Sequence, residues 1–287
     1  MKFSIITVCY NAPRLEETCK SIANQVYDDF EWIVIDGLSD SEHINIFNNY
    51  KHHMSYFISE KDNGVYYAMN KGIQQLTGDY VIFMNAGDSF YDNFVLLNIA
   101  KWLETQEKSP DVIYGITNRN NLNDIHIPPK QFNEYIFYNS SLCHQTSFIK
   151  TSLFKEFGPY NTDYRICADF DMFNNYFVHG KVFSFTPVII ANYYTDGLSS
   201  NNNEKSNNEK KHIHEKYYDA ALLKTIKNQK KQNFLAKIKR RFDHIHQIIF
   251  NNRKLFNDLN EQQQLIEILK LENSAIKEYV QKKSGEK

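Results

Sequence analysis

The sequence predicts an α/β fold in which a mostly parallel, Rossmann-like open sheet is flanked by helices and followed by a C-terminal helical extension. Short apolar runs alternate with amphipathic helical patterns along the first half of the chain, which is typical of βαβ units. Near residue 200 the charge balance changes, from 14 Lys and Arg against 23 Asp and Glu before it to 19 against 11 after it. The tail therefore differs from the body.

The elements alternate in the order that a parallel sheet requires. The predicted strands of the first half are residues 3–8, 31–36, 56–58 and 80–84, and the predicted helices are 15–25, 65–76 and 94–104. A strand at 111–115, an irregular stretch to 129, a strand at 145–149, helices at 152–157 and 169–179 and a strand at 182–191 complete the body. Because ligands bind beyond the carboxyl ends of parallel strands, residues just after them are candidate site residues.

Three regions are predicted along the chain. Residues 1–200 form the α/β domain, residues 201–254 a linker with basic amphipathic helices, and residues 255–287 a short coiled-coil-like helix. The linker is expected at 199–208, which is polar and low in complexity. For 255–280, two interpretations of the heptad spacing remain open, a coiled coil that joins two copies or a single helix packed on the body.

Composition excludes several classes of protein. No apolar run approaches the roughly 20 residues of a spanning helix, and the N-terminus lacks a signal peptide pattern, so we expect a cytoplasmic protein. Residues 224–254 hold ten Lys and Arg with one acid, which predicts peripheral contact with the inner face of the membrane or a solvated helix. No nucleic-acid partner is expected, because residues 1–200 carry a net charge of −9. The four cysteines have no CxxC spacing and are expected to be reduced thiols.

Carboxylates after two predicted strands suggest the chemistry. Asp36 and Asp88 follow apolar runs, although an Asp in this position is also common turn chemistry. The chain contains neither GxGxxG after the first strand nor GxxxxGK[ST], so a diphosphate would need another means of neutralisation. A divalent cation, Mn²⁺ or Mg²⁺, held by Asp88 would supply it.

Six segments in order, ITVCYN, VIDGLSD, EKDNGVYYAMNKGI, GDYVIFMNAGD, CHQTSFIK and YRICADFD, resemble family 2 glycosyltransferases of the GT-A fold, in the bacterial surface-polysaccharide branch. The resemblance covers about residues 1–200. It implies an inverting hexosyl- or N-acetylhexosaminyltransferase that moves a sugar from a UDP-sugar donor to a hydroxyl of a glycan or lipid-linked acceptor. The product would be capsule, lipopolysaccharide or another surface glycan.

The resemblance also implies roles for particular residues. Asp88 would bind the metal within Asn85-Ala86-Gly87-Asp88, where Asn85 stands in place of an acid. Asp169 would be the catalytic base, with Asp171 in reserve, and His144 would face the acceptor or the phosphates. The implied donor contacts are Thr7, Tyr10, Asn11, Asp36, Asp62, Asn70, Asn85 and Gly87.

Alternatives remain at this point. Asp169 also suits a structural acid in the first turn of a helix. Gly197 would suit a hinge in a loop that closes over the donor. Because the motifs lack the fuller acid pairs, a non-catalytic scaffold tethered by its tail is the alternative function.

Overall fold

The computed structural model describes residues 1–139, 142–194 and 203–252. The chain divides into two compact units, Met1–Leu223 and Lys224–Lys287. The predicted heptad segment 255–280 and the predicted hinge Gly197 lie outside the described residues.

The first half alternates strands with helices, as predicted. Its elements are β1 (Phe3–Cys9), α1 (Leu15–Ala23), β2 (Phe30–Asp36), α2 (Ser41–Tyr50), β3 (Tyr56–Ser59), α3 (Val65–Ile73), β4 (Tyr80–Phe83), β5 (Ser89–Phe90) and α4 (Val95–Glu104). Helix α2 was missed by the sequence analysis. Its start has a local cause, because the Asp40 side chain accepts a hydrogen bond from the N–H of His43 and so caps the helix.

The second half adds the remaining strands and a set of helices. Its elements are β6 (Val112–Arg119), β7 (Asp124–His126), α5 (Glu134–Asn139), β8 (Ser147–Lys150), α6 (Ser152–Phe157), α7 (Ala168–Val178), β9 (Phe183–Tyr193), α8 (Asn203–Tyr217) and α9 (Ala220–Asn252). Strand β6 extends past its predicted end because β7 pairs with Thr117–Arg119.

One sheet runs through the body in the order β3-β2-β1-β4-β8-β6-β9-β5, with β7 paired to β6. Strands β3, β2, β1 and β4 are parallel neighbours, whereas β8 is antiparallel to both β4 and β6. The predicted α/β fold with helices flanking a sheet is confirmed. The antiparallel insertion of β8 was not predicted.

Helices cover both faces of the sheet, which explains why its inner strands read as continuous apolar runs. Every residue of β1 is buried, and successive side chains belong to opposite cores. Ile6 and Val8 pack in the core that contains α3 and α7, while Phe3 and Ile5 pack in the core that contains α1 and α4. This alternation decides which of the two cores each polar residue of β1 faces.

The body extends beyond the predicted boundary at residue 200. The compact unit ends at Leu223, and the predicted linker 199–208 overlaps α8, which begins at Asn203. Helix α8 is anchored to α7 by an ion pair between Lys216 and Asp171 at 2.9 Å. Its polar sequence belongs to a surface helix that docks through charged side chains, a pattern that composition alone does not separate from a linker.

Among the described residues, no helix has the length and apolar content that a membrane crossing requires.

Candidate active site

The carboxyl ends of three parallel strands meet at one edge of the sheet. The N–H of Gly37 donates to Cys9 O at 2.8 Å, and the N–H of Ala86 donates to Val8 O at 3.0 Å. These bonds tie the loops that follow β2 and β4 to the end of β1. The sequence therefore predicted correctly that residues after different strands share one edge.

Asp36, the last residue of β2, is fully buried at this edge. Its Oδ2 accepts hydrogen bonds from the N–H of Ser39 at 3.0 Å and the hydroxyl of Ser59 at 2.6 Å. Its Oδ1 is buried and has no partner within the protein. A buried carboxylate oxygen without a donor is costly, so an N–H or O–H from outside the protein would stabilise it.

The loop after β1 borders Asp36. The ring of Tyr10 is 69% exposed, which leaves a face free for a planar ligand. Asn11 has a φ of 46°, and its N–H donates to Ser39 Oγ while its Oδ1 accepts from the N–H of Asp40. Asn11 thus shapes the loop through its backbone and amide.

Asp62 closes the same region from the loop after β3. Its Oδ1 accepts from the N–H of Gly64 at 2.8 Å. A Cβ placed on Gly37 would lie 2.9 Å from Asp62 Oδ2, so the carboxylate rests directly against this glycine. The absence of a side chain at Gly37 allows the close approach.

Asp88 ends a tight turn that follows β4. The turn closes with a hydrogen bond from the N–H of Asp88 to Asn85 O at 3.0 Å, and Gly87 within it has a φ of 104°. Thr18 on α1 clamps the turn, because its hydroxyl accepts from the N–H of Gly87 at 3.0 Å and lies 2.6 Å from Asp88 O. Gly87 therefore acts through its backbone conformation.

The Asp88 carboxylate is held by protein donors. Gln145 Nε2 donates to its Oδ2 at 2.8 Å. Burial raises the pKa of Asp88 to about 6, and the hydrogen bonds from Gln145 and from the N–H of Tyr194 act in the opposite direction. The carboxylate is thus available in its charged form at neutral pH.

Asp169 stands in the first turn of α7 and is joined to the Asp88 turn by the residue next to Gln145. His144 Nδ1 lies 3.0 Å from Asp169 Oδ2, and His144 Nε2 lies 3.1 Å from Asn85 Nδ2. Since a carboxylate only accepts, Nδ1 carries the proton and Nε2 accepts from the Asn85 amide. Asn85 Oδ1 then remains buried without a partner in the protein.

The Asp169 carboxylate is kept ionised by its neighbours. Burial alone would raise its pKa, but the hydrogen bonds from His144, the N–H of Phe170 and the hydroxyl of Tyr66 lower the pKa below its ordinary value. Tyr66 Oη lies 3.1 Å from Asp169 Oδ1. The side chain of Asp169 is 16% exposed, so its carboxylate is still reachable.

Three predicted residues have other neighbours. Thr7 is fully buried, and its hydroxyl accepts from Trp32 Nε1 at 2.9 Å, so its side chain faces the core. Both amide atoms of Asn70 pair with the backbone of Tyr160, at 2.9 Å each. Asp171 pairs with Lys216 instead of joining His144 and Asp169.

The sequence analysis missed several contributors to the site. Gln145 directly follows the predicted His144, so its position was a signal that could have found it. Tyr66 and Thr18 have no such signal, because each lies within a helix and follows no predicted strand. Tyr194, just past β9, stacks its ring on the Arg14 guanidinium at 3.9 Å from the ring centroid.

The donor set fits a hard divalent cation when a diphosphate completes it. Asp88 offers a carboxylate, and Asn85 offers the unpartnered Oδ1, both of them oxygen ligands of the kind Mg²⁺ and Mn²⁺ take. Within the described part of the chain, no group of three or more His, Cys, Asp and Glu side chains could hold a metal by itself. Binding of such a cation would therefore depend on oxygen atoms of the bound diphosphate.

The sequence is similar to known glycosyltransferases. Residues 4–166 match the family model described as Glycosyl transferase family 2. A PGL/p-HBAD biosynthesis glycosyltransferase of Mycobacterium bovis is 32% identical over 211 residues, covering 69% of this chain and 79% of that protein. An uncharacterized glycosyltransferase of Mycobacterium tuberculosis is 30% identical over 170 residues, covering 58% of this chain and 65% of that protein.

Solved structures share the fold. S. aureus TarS 1–349 in complex with UDP-GlcNAc superposes with a TM-score of 0.64 at 20% identity, covering 93% of this chain and 79% of that one. The chain spans only 37% of a longer TarS structure. A mannosyltransferase from Pyrobaculum calidifontis in complex with GDP-Man and Mn²⁺ has a TM-score of 0.54 at 17% identity, covering 69% and 58%.

Proposed function

The chain belongs to glycosyl transferase family 2, and from that premise we propose that it transfers a sugar from a UDP-sugar to a hydroxyl group with inversion of configuration. One observation carries the proposal. The adjacent residues His144 and Gln145 bind Asp169 and Asp88 respectively, at 3.0 and 2.8 Å, so neighbouring residues hold the candidate base and the acid proposed for the diphosphate side. A displacement reaction needs these two groups near the same anomeric carbon.

The donor pocket suits a uridine nucleotide. The unpartnered Asp36 Oδ1 would accept the ring N–H of uracil, and the exposed ring of Tyr10 would stack on the base. Asp62 lies beside Asp36 through the gap at Gly37 and would contact the same nucleoside. The TarS structure bound to UDP-GlcNAc supports this donor class by analogy.

Asp169 is the proposed catalytic base. Its ionised carboxylate would take the proton of the acceptor hydroxyl as that oxygen attacks the anomeric carbon, on the face opposite the departing diphosphate. His144 and Tyr66 would hold the carboxylate in orientation through their hydrogen bonds. One displacement of this kind inverts the configuration at that carbon.

The Asp88 carboxylate and the side-chain oxygen of Asn85, Oδ1, are the groups that would hold Mn²⁺ or Mg²⁺. When bound, the cation neutralises charge on the diphosphate leaving group. Gln145 would keep Asp88 oriented, since its amide leaves the second carboxylate oxygen for the ligand. The turn glycine, Gly87, lets the backbone adopt the conformation that presents Asp88.

The acceptor is proposed to be a glycan or a lipid-linked intermediate of bacterial surface-polysaccharide synthesis, capsule or lipopolysaccharide. Residues 224–254 would bring the enzyme to the cytoplasmic face of an anionic membrane, where lipid-linked acceptors reside. Within this segment Lys227, Lys230 and Lys231 are exposed. Self-association through 255–280 would be a further means of assembly.

The test is UDP release from UDP-glucose, UDP-galactose and their N-acetyl forms with Mn²⁺, Mg²⁺ or a chelator. Wild type is compared with Asp88→Asn and with Asp28→Asn, which removes an exposed carboxylate away from the site. We expect cation-dependent release from one donor, retained in Asp28→Asn and lost in Asp88→Asn. Calorimetry on the same samples measures binding. If wild type binds none of the four donors, the UDP-sugar proposal is rejected and the non-catalytic scaffold becomes the better description.

A further inference from the structure

We propose that Glu209, on helix α8, is a positioning residue for the base Asp169. Its carboxylate holds the backbone segment 165–167, which leads directly into α7 and sets the direction of the Asp169 side chain. This inference rests on the proposed function, because it takes Asp169 as the base. Glu209 lies outside the family-model match, which ends at residue 166.

The contact consists of three consecutive hydrogen bonds to one carboxylate. Glu209 Oε1 accepts from the N–H of Arg165 at 3.0 Å. Glu209 Oε2 accepts from the N–H of Ile166 at 3.0 Å and from the N–H of Cys167 at 2.9 Å. Hydrogen bonds to an ionised acceptor are about twice as strong as neutral ones, so the segment is held firmly by a residue distant in sequence.

The N-cap position of α7 makes no side-chain hydrogen bond that would replace this contact. Cys167 is the N-cap residue, and its side chain makes no capping hydrogen bond to the helix. The carboxylate of Glu209 instead satisfies the N–H groups that precede the helix, and its negative charge favours the helix N-terminus. Asp169 is the second residue of α7, so any change in this entry segment moves it.

The same segment is held from its other side by Tyr66, which also contacts the proposed base. The hydroxyl of Tyr66 lies 2.7 Å from Ile166 O and 3.1 Å from Asp169 Oδ1. Ile166 is therefore fixed through its N–H by Glu209 and through its carbonyl by Tyr66. If the Glu209 bonds are lost, Ile166 is free to shift, and the positions of Tyr66 and Asp169 shift with it.

Other contacts hold α8 and the residue that follows it to α7, and they are separable from the Glu209 contact. Lys216 pairs with Asp171, and Tyr218 Oη donates to Asn174 Oδ1 at 2.7 Å. Neither contact involves residues 165–167. The variant Tyr218→Phe removes a docking contact of this helix pair while leaving the Glu209 bonds in place, and it serves as the matched control.

The test uses the full chain and four variants. Glu209→Gln presents an amide N–H₂ to donors that need an acceptor, and Glu215→Gln makes the same change at an exposed position on α8. Tyr218→Phe is the docking control and Asp169→Asn is the base control. The readouts are the rate of UDP release from saturating UDP-glucose, UDP-galactose and their N-acetyl forms with Mn²⁺, calorimetric binding of UDP, melting temperature, and hydrogen exchange of the amides of residues 165–167.

We expect Glu209→Gln to lower the maximal rate about tenfold, because small misplacement of a reacting group is enough to cause such a loss. The Kd for UDP should stay within about twofold of wild type, since the nucleoside residues are untouched. The amides of 165–167 should exchange about tenfold faster or more, the effect of losing a charged hydrogen bond. Glu215→Gln should match wild type in every readout, and Tyr218→Phe should lower only the melting temperature.

Two results would overturn the proposal. Faster exchange at 165–167 with an unchanged rate would mean that the segment does not position the base. If Glu209→Gln and Tyr218→Phe lowered the melting temperature equally and also lowered the rate equally, the loss of rate in Glu209→Gln would be due to general destabilisation. A wild-type rate in Asp169→Asn would instead reject the base assignment on which the inference depends, and hydrogen exchange would still report whether Glu209 holds the segment.

Discussion

His144 Nδ1 donates a hydrogen bond to Asp169 Oδ2 across 3.0 Å, and the opposite ring nitrogen of His144 accepts from Asn85. The imidazole therefore joins the turn that carries Asp88 to the helix that carries Asp169. Strand β8 makes this possible, because it lies between β4 and β6 and delivers His144 and Gln145 from its N-terminal side. The proposed chemistry depends on this junction.

Replacing the proposed base should abolish transfer without disturbing the nucleotide pocket. Asp169→Asn keeps the shape of the side chain but cannot accept a proton, so we expect the rate of UDP release to fall about 10²- to 10⁴-fold. UDP affinity, measured by calorimetry, should be unchanged. Asp163→Asn, an exposed change on the loop before α7, is the control and should retain wild-type activity. A fully active Asp169→Asn variant would contradict the assignment.

Asp36→Asn should weaken UDP binding. Ser39 and Ser59 both donate to Oδ2, so the amide oxygen of the new asparagine would face them. Its N–H₂ group would then take the position of the unpartnered Oδ1. A donor would then face a ligand N–H, and we expect the Kd for UDP to rise about 10- to 100-fold. Calorimetry checks this against Asp28→Asn. Equal affinity in wild type and Asp36→Asn would show that Oδ1 does not contact the base.

Gly87→Ala should cost more than an ordinary glycine substitution. Gly87 has a φ of 104°, and an added Cβ would lie 3.3 Å from Pro13 O. We expect a loss of about 1–3 kcal/mol in unfolding free energy, with weaker cation-dependent UDP binding because Asp88 is displaced. Urea unfolding and calorimetry measure the two effects. Gly180→Ala, at a φ of 71° with open space around it, is the control and should affect stability alone.

The stability of the fold should depend on pH through Glu31. Glu31 is 6% exposed, and its carboxylate accepts from Ser4 Oγ and the N–H of Thr77, both at 2.6 Å. Burial alone would raise the pKa of Glu31, but these hydrogen bonds and that of Lys2 lower it. A folded-state pKa below the unfolded one stabilises the protein above the unfolded value of about 4.3, and this contribution disappears as the pH falls through the folded-state pKa.

Urea unfolding of Glu31→Gln across a pH series checks that expectation. At pH 7 we expect the variant to be less stable than wild type by about 1–3 kcal/mol. The difference should shrink as the pH falls below the unfolded pKa. Glu107→Gln, which changes an exposed carboxylate, should equal wild type throughout. A constant difference between wild type and Glu31→Gln would mean that ionisation of Glu31 contributes nothing.

Truncation should distinguish the two boundaries of the body. A chain that ends after Leu223 keeps the compact unit and should unfold cooperatively. A chain that ends after Ser200 loses Lys216 and Glu209, leaving the buried Asp171 carboxylate unpaired at a cost of about 3–5 kcal/mol. Thermal unfolding followed by circular dichroism compares the two. A cooperative transition with the same midpoint in the shorter chain would show that the body ends at residue 200.

Local patterns predicted much of the fold because the strands of a doubly covered sheet are apolar throughout and the residues after them are polar. Asp36 and Asp88 could be selected in this way because each follows an apolar strand, whereas Asp169 was selected through the family resemblance. Thr7 could not be placed in this way. Its hydroxyl looks available in sequence, but the alternation of β1 turns it towards Trp32 in the core.

The sequence by itself determined the α/β class, the family and the candidate acids, since periodicity and short motifs are local properties of the chain. Only the tertiary structure decided that β8 enters antiparallel beside β4, that His144 and Gln145 there bind Asp169 and Asp88, and that α8 belongs to the body. Each of these depends on contacts between residues tens of positions apart. Such contacts form because buried polar groups need partners, and the fold alone decides which partners are within reach.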